Sequence, residues 1–139
     1  LEPGGFLEIQ DALLCFRCDE RSLKGTAIEK WAEKLHKAAW KSGKDWACPT
    51  KYKLYMEDAG FVDVKEVQHD RWPINPWPKG KDEKEKGMWC LQNLLLGLES
   101  ISMALMTRYL GMSVWEVRGD LECVEKEIKD RKTHAYIPM

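Results

Sequence analysis

Apolar and polar positions along this chain change period several times, and each change predicts an element. After a Pro3-Gly4-Gly5 turn, Phe6, Glu8 and Gln10 would face one side of a strand and Leu7, Ile9 and Asp11 the other, with Leu13, Leu14 and Phe16 beyond them. Thr26-Ala27-Ile28-Glu29 has capping-box spacing, and Ile28, Trp31, Leu35, Ala38 and Ala39 recur at helical intervals until Ser42-Gly43, so a helix is expected from Ala27 to Lys41. Pro49 suits the first turn of a second helix whose inner face would be Tyr52, Tyr55, Met56 and Ala59, closed by Gly60 in a left-handed cap. Phe61 to Val67 then alternates as a strand.

Trp72 to Pro78 holds three of the six prolines and reads as a stiff loop, because proline has no N–H for a central ladder. Lys79 to Lys86 is a charged, solvated lead into a long helix striped by Leu91, Leu94, Leu95, Leu98, Ile101, Leu105 and Tyr109 and ended by Gly111. Ser113 and Glu116 form a second capping box before Val114, Val117, Leu121, Val124 and Ile128, the packed face of a last helix. Thr133 to Met139 reads as an extended tail.

Composition narrows this only a little. The 139 residues can bury a sizeable core, and 22 basic against 23 acidic side chains give no electrostatic reason to expect nucleic acid or an anionic membrane as partner. Met88 to Leu98 is the most apolar stretch, and the charges at Glu99 and Arg108 interrupt it before it spans a bilayer. Five cysteines without an apolar leader fit reduced thiols inside a cell, in cytoplasm or nucleus, better than a disulfide framework. Cys15 and Cys18 have metal-ligand spacing, but no second pair follows, so no metal site is expected. Seven tryptophans are many for this length and suggest a groove or interface as well as a core.

Several phrases are more specific. Leu1-Glu2-Pro3-Gly4-Gly5 with the following run to Ile9 resembles the turn and fifth strand of class I S-adenosylmethionine-dependent methyltransferases. Met56 to Val64 is similar to the helix-to-strand step before their sixth strand. Trp72 to Pro78, Leu95 to Glu99, Leu105 to Gly111 and Lys129 to Tyr136 narrow the resemblance to the carboxyl-terminal half of a fungal methyltransferase group that includes velvet-associated regulators of secondary metabolism. The resemblance implies an α/β fold, the second half of a doubly wound, Rossmann-like sheet with a helical insertion before the last strand. It divides one domain into strand, helices and strand over 1–71, loop and helical insertion over 72–132, and the start of the last strand over 133–139. The expected cofactor is S-adenosylmethionine, and the glycine-rich loop that would cradle it in that fold does not occur in these residues.

The resemblance therefore implies that this chain supplies the acceptor side for methyl transfer to a small molecule and is inactive alone. Its partners would be that acceptor and the missing amino-terminal half, another protein or a second copy. The alternative is a non-catalytic interaction module or regulator derived from a methyltransferase. Gln10 and Asp11, at the carboxyl end of a strand, could touch an acceptor or the cofactor's edge, or simply form a turn. Trp72, Trp77 and Trp89 could wall a flat acceptor or pin a loop to the core. His134 is the candidate general base, Tyr136, alternating with it toward the last strand, is a candidate substrate contact, and Arg108 could meet a substrate carboxylate or pair with Glu99 or Asp11.

Overall fold

The computed structural model describes residues 2–19, 23–67 and 71–139, so Leu1 of the turn motif lies outside the described residues. The elements are α1 (Ala27–Lys41), a short 3-10 turn (Cys48–Lys51), α2 (Tyr52–Asp58), β1 (Arg71–Pro73), α3 (Lys81–Leu110), α4 (Val114–Lys129) and β2 (Tyr136–Pro138).

Three helices carry the core. α1 starts where its cap predicts: Thr26 Oγ1 accepts from the Glu29 N–H, and the Glu29 carboxylate reaches back to the Gly25 N–H, one residue earlier than a standard capping box. Two further free amides at this helix end, Ala27 and Ile28, each donate at 2.9 Å to the Glu127 carboxylate of α4. An anion there answers both the orphan donors and the helix dipole, and it locks α4 to α1. Ser113 and Glu116 make the full reciprocal box at the start of α4. Ile28, Trp31 and Leu35 of α1 then pack with Leu94, Leu98 and Met106 of α3 and with Val117, Leu121, Val124 and Ile128 of α4.

α3 turns inward a face that overlaps the expected stripe without matching it: Leu94 and Leu98 are buried and Leu91 and Leu105 pack against the core, but the stripe shifts at its two ends. Its buried positions are Gly87, Cys90, Leu94, Leu98, Ser102 and Met106, while Ile101 and Tyr109 are partly exposed. The stripe runs through Ser102 because Trp31 Nε1 donates to Ser102 Oγ at 2.8 Å and that hydroxyl donates to the Leu98 carbonyl at 2.6 Å. A buried indole needs an acceptor, and that need sets the rotation of the helix. The charged run expected as a lead is already helical from Lys81. By length and composition α3 is sufficient to cross a membrane, which corrects the shorter stretch expected from sequence.

The strands depart most from expectation. β1 and β2 pair antiparallel, with Trp72 opposite Ile137, and a bridge between Arg17 and Tyr136 lies on the other side of β2. The order in space is thus the segment around Arg17, then β2, then β1. Trp72 and Pro73 sit in an edge strand, where a proline is tolerated, and not in a loop. Phe6 to Asp11 and Phe61 to Val67 form no strand. Each lacks a ladder partner among the described residues, and Asp63 at φ 57° breaks the extended path of the second. α2 buries none of its residues, so its expected inner face has no core to meet.

Gly87 shows how tightly β1 and α3 are joined. A Cβ there would stand 2.3 Å from the Asn75 carbonyl oxygen and 3.1 Å from Pro76 Cα. Gly87→Ala is expected to destabilise the chain by about 1–3 kcal/mol in urea unfolding, although alanine favours a helix by about 1 kcal/mol. Gly119→Ala, where a Cβ meets nothing within 4 Å, should instead stabilise by about 0.5–1 kcal/mol. Equal effects from the two substitutions would contradict this packing.

Candidate functional site

A cleft of about 310 Å³ opens between the extended residues 7–17, the 3-10 turn with α2, and residues 64–67, with Pro138 and Met139 also in its wall. That volume is at the small end of ligand pockets. Leu7, Ile9, Leu13, Met56 and Val64 give it apolar surface, while Arg17, Lys53 and Lys65 oppose Glu8, Asp11 and Glu66. The balance of charge suits a polar or zwitterionic guest better than a purely apolar one.

At one wall Tyr52 Oη donates to Asp11 Oδ2 at 2.6 Å, and Cys48 Sγ lies 3.5 Å from the same phenol. The second Asp11 oxygen accepts from the Ala12 N–H at 2.8 Å. The hydrogen bond to the Asp11 carboxylate, reinforced by Cys48, raises the Tyr52 phenol well above the ordinary tyrosine range. Both oxygens of Asp11 are therefore engaged within the chain. Gln10 is exposed, and its amide donates to Glu8 at 2.6 Å.

Beside the cleft, Tyr136 Oη donates to Asp19 Oδ1 at 2.9 Å, Arg71 pairs with the other Asp19 oxygen, and the Arg71 guanidinium lies 4.8 Å from the Tyr136 ring centroid. The bond from Tyr136, then Arg71, holds the Asp19 carboxyl below its usual range, and Tyr136 is raised in turn by that bond and by burial. This cluster ties together three segments that the backbone ladder joins only briefly.

Trp77 stacks on His134, with centroids 4.7 Å apart and planes at 21°, and its Nε1 donates to the Ala135 carbonyl at 3.1 Å. Trp72, Trp77, His134 and Tyr136 thus gather around the β1–β2 ladder. Trp89 stands 61% exposed on α3, and Arg108 is exposed on the same helix some five turns later. Arg108 meets neither proposed carboxylate: Glu99 accepts from Arg118 at 3.1 Å, and Asp11 is held by Tyr52. Of the residues singled out by sequence, only Asp11 lines the cleft. Tyr52, Arg17, Asp19 and Arg71 were missed. No group of three or more metal-binding side chains occurs among the described residues.

The chain is 33% identical over its whole length to a probable methyltransferase, tdiE, of Emericella nidulans, of which it covers 44%. Over 98% of its length it is 32% identical to the secondary metabolism regulator LAE1 of Cochliobolus heterostrophus, covering 45% of that protein. It is 27% identical to the protein-methionine methyltransferase laeA of Emericella nidulans, again over 98% of its length and covering 36%. The chain therefore spans less than half the length of these relatives. No family model and no solved structure matches it.

The two tyrosine–aspartate pairs make a prediction in solution. In a spectrophotometric titration of the four tyrosines, Asp11→Asn should bring the Tyr52 ionisation down toward about 10, and Asp19→Asn should do the same for Tyr136. Because the folded Asp19 pKa is depressed, its contribution to stability is present above about pH 3.9 and lost as pH falls below it. A titration profile unmoved by either substitution would contradict the pairing.

Proposed function

From the homology of this chain, along essentially its whole length, to fungal methyltransferases and secondary-metabolism regulators, we propose that it forms the acceptor side of a class I, S-adenosylmethionine-dependent methyltransferase. The parent protein transfers a methyl group to a small-molecule acceptor, with the cleft between residues 7–17 and 64–67 as the site. The match to tdiE over the full chain is the observation that carries this reading.

In such a reaction the cofactor supplies the reactive methyl group on a sulfonium, and the protein supplies alignment and removal of water. The residues of this chain fit the cofactor poorly by themselves. Each Asp11 carboxylate oxygen already accepts one bond, from Tyr52 or from Ala12, and Gln10 is turned to Glu8. No cofactor cradle is built from them, so no chemical step is assigned to them. What the chain offers is an acceptor wall: Tyr52 is kept protonated and fixed by Asp11, with its oxygen still able to accept a hydrogen bond from a hydroxyl or amine on the guest. His134, the base expected from sequence, is stacked on Trp77 beside β2 and outside the cleft lining, so no proton transfer in the cleft is assigned to it.

The alternative, an interaction module serving regulation, draws support from Trp40, Trp89 and Trp115, which are 72%, 61% and 80% exposed. Calorimetry with S-adenosylhomocysteine separates the two. A polypeptide extended to the length of the relatives should bind it, and this chain alone should give little heat. Absence of binding by the extended polypeptide would overturn the enzyme reading in favour of the module.

A further inference from the structure

We propose that the guest of this cleft is an elongated acid that carries a hydroxyl or amine at its far end: the donor meets Tyr52, an apolar body follows, and the anionic group meets Arg17. The inference rests on reading the cleft as the acceptor site, and it names the class of acceptor. Tyr52 fixes the first end. Its phenolic proton is committed to Asp11 at 2.6 Å, so its oxygen can receive a hydrogen bond from a guest and has none to give. A ketone, an ether or a thioether finds no partner there, whereas a hydroxyl or an amine does.

Charge fixes the other end. Of the basic side chains in the lining, Lys53 lies 3.9 Å from Glu57, while Arg17 and Lys65 make no ion pair among the described residues. Of the acidic ones, Glu8 accepts from Gln10 and Asp11 from Tyr52 and Ala12, which leaves Glu66. Glu66 neighbours Lys65 in sequence and offsets its charge. The Arg17 guanidinium is then the unanswered charge of the cleft. Its planar fork of donors matches a carboxylate better than any neutral acceptor.

The order of residues along one wall sets what lies between the two ends. Leu7, Ile9, Asp11, Leu13 and Arg17, all odd positions of the extended segment, line the cleft in turn. Leu13 therefore stands between the end held by Asp11 and Tyr52 and the end at Arg17, and Met56 and Val64 add apolar lining. The six residues from Asp11 to Arg17 span up to about 20 Å when extended, which favours an elongated guest over one whose donor and acid share a carbon.

4-Hydroxycinnamate carries the three features in that order and serves as the probe. In isothermal titration of the polypeptide extended to the length of the relatives, it should bind with a dissociation constant on the order of 0.1 to 1 mM. 4-Methoxycinnamate, which has no proton to give, and the methyl ester of 4-hydroxycinnamate, which has no charge, should each bind roughly fivefold more weakly or worse. The variants should cross. Tyr52→Phe should lose the preference for hydroxyl over methoxyl and keep that for acid over ester, and Arg17→Gln should do the reverse, whereas loss of the fold would remove both preferences together. Three cinnamates bound alike, none bound, or either variant keeping the preference it should lose would overturn the proposal. Titration with S-adenosylhomocysteine separates it from the methyl-transfer reading: cofactor bound without discrimination among the cinnamates sinks this inference and spares that reading, and the opposite result does the reverse.

Discussion

The Asn75 amide is the contact on which the arrangement of helices and strands depends. The residue is fully buried, and its Nδ2 lies 3.0, 3.1 and 3.2 Å from the carbonyls of Ile128, Asp130 and Thr133. Three acceptors around one nitrogen fix which way the amide points. The same amide supplies the donor to the open carbonyl end of α4, which lacks the glycine cap that closes α3 at Gly111. On either side of Asn75 the backbone is committed as well: Ile74 donates to Ala135, and Trp77 donates back to the Asn75 carbonyl. That carbonyl is the group against which Gly87 of α3 is pressed. One residue thereby sets where α4 ends, where β2 begins and how closely α3 approaches. Its Oδ1 has no donor among the described residues, a cost of about 1–3 kcal/mol that only a junction with this many other bonds can carry.

From that junction outward, the cluster of Asp19, Arg71 and Tyr136 does for the strand end what Asn75 does for the helix end. The β1–β2 ladder is three residues long, and a two-stranded ribbon of that length has little stability of its own. Side-chain bonds from Tyr136 and the exposed Arg71 to one carboxylate supplement it modestly, beside the Arg17–Tyr136 bridge on the opposite edge of β2. The cleft takes its shape from this: Arg17, bridged to Tyr136, and Pro138, two positions after it, both line it.

How much of this was legible in the sequence follows from how local each cause is. Both capped helices were, since Thr26, Glu29, Ser113 and Glu116 act within one turn, and α1 has the bounds its pattern predicts. The face of α3 was legible only in part. Leucines mark many sides of it, and what selects one is a bond from Trp31, 71 residues away, to a serine that a hydrophobic pattern discounts. Strands were the least legible, because alternation at Phe6 to Asp11 and at Phe61 to Val67 describes a segment able to pair, whereas a strand also needs a neighbour. In the site, Asp11 was found through its place after an apolar alternation. Its partner Tyr52 falls on the apolar face of a helix pattern, and Asp19 and Arg71 carry no local signal at all. Trp77 and His134 were each noticed, but their stack is a contact across 57 positions that no spacing rule encodes.

These unequal causes divide the chain into regions of unequal stability. The bundle has a continuous apolar core, and Ile28, Leu35, Met106, Val117 and Ile128 within it are completely buried. The segments that carry the cleft walls are different: just before each wall Phe6 is 97% exposed and Val62 84% exposed, and the contacts that hold these segments are surface hydrogen bonds and ion pairs. Exposed pairs of that kind contribute little each and are screened by salt. Local opening should therefore begin at residues 2–12 and 61–67 and leave the three helices intact. A ligand bridging the two walls would act on the least stable part of the chain, where ordering changes most on binding. The helices meanwhile supply a fixed frame, with Asn75 and Tyr136 as the points at which the frame holds the cleft.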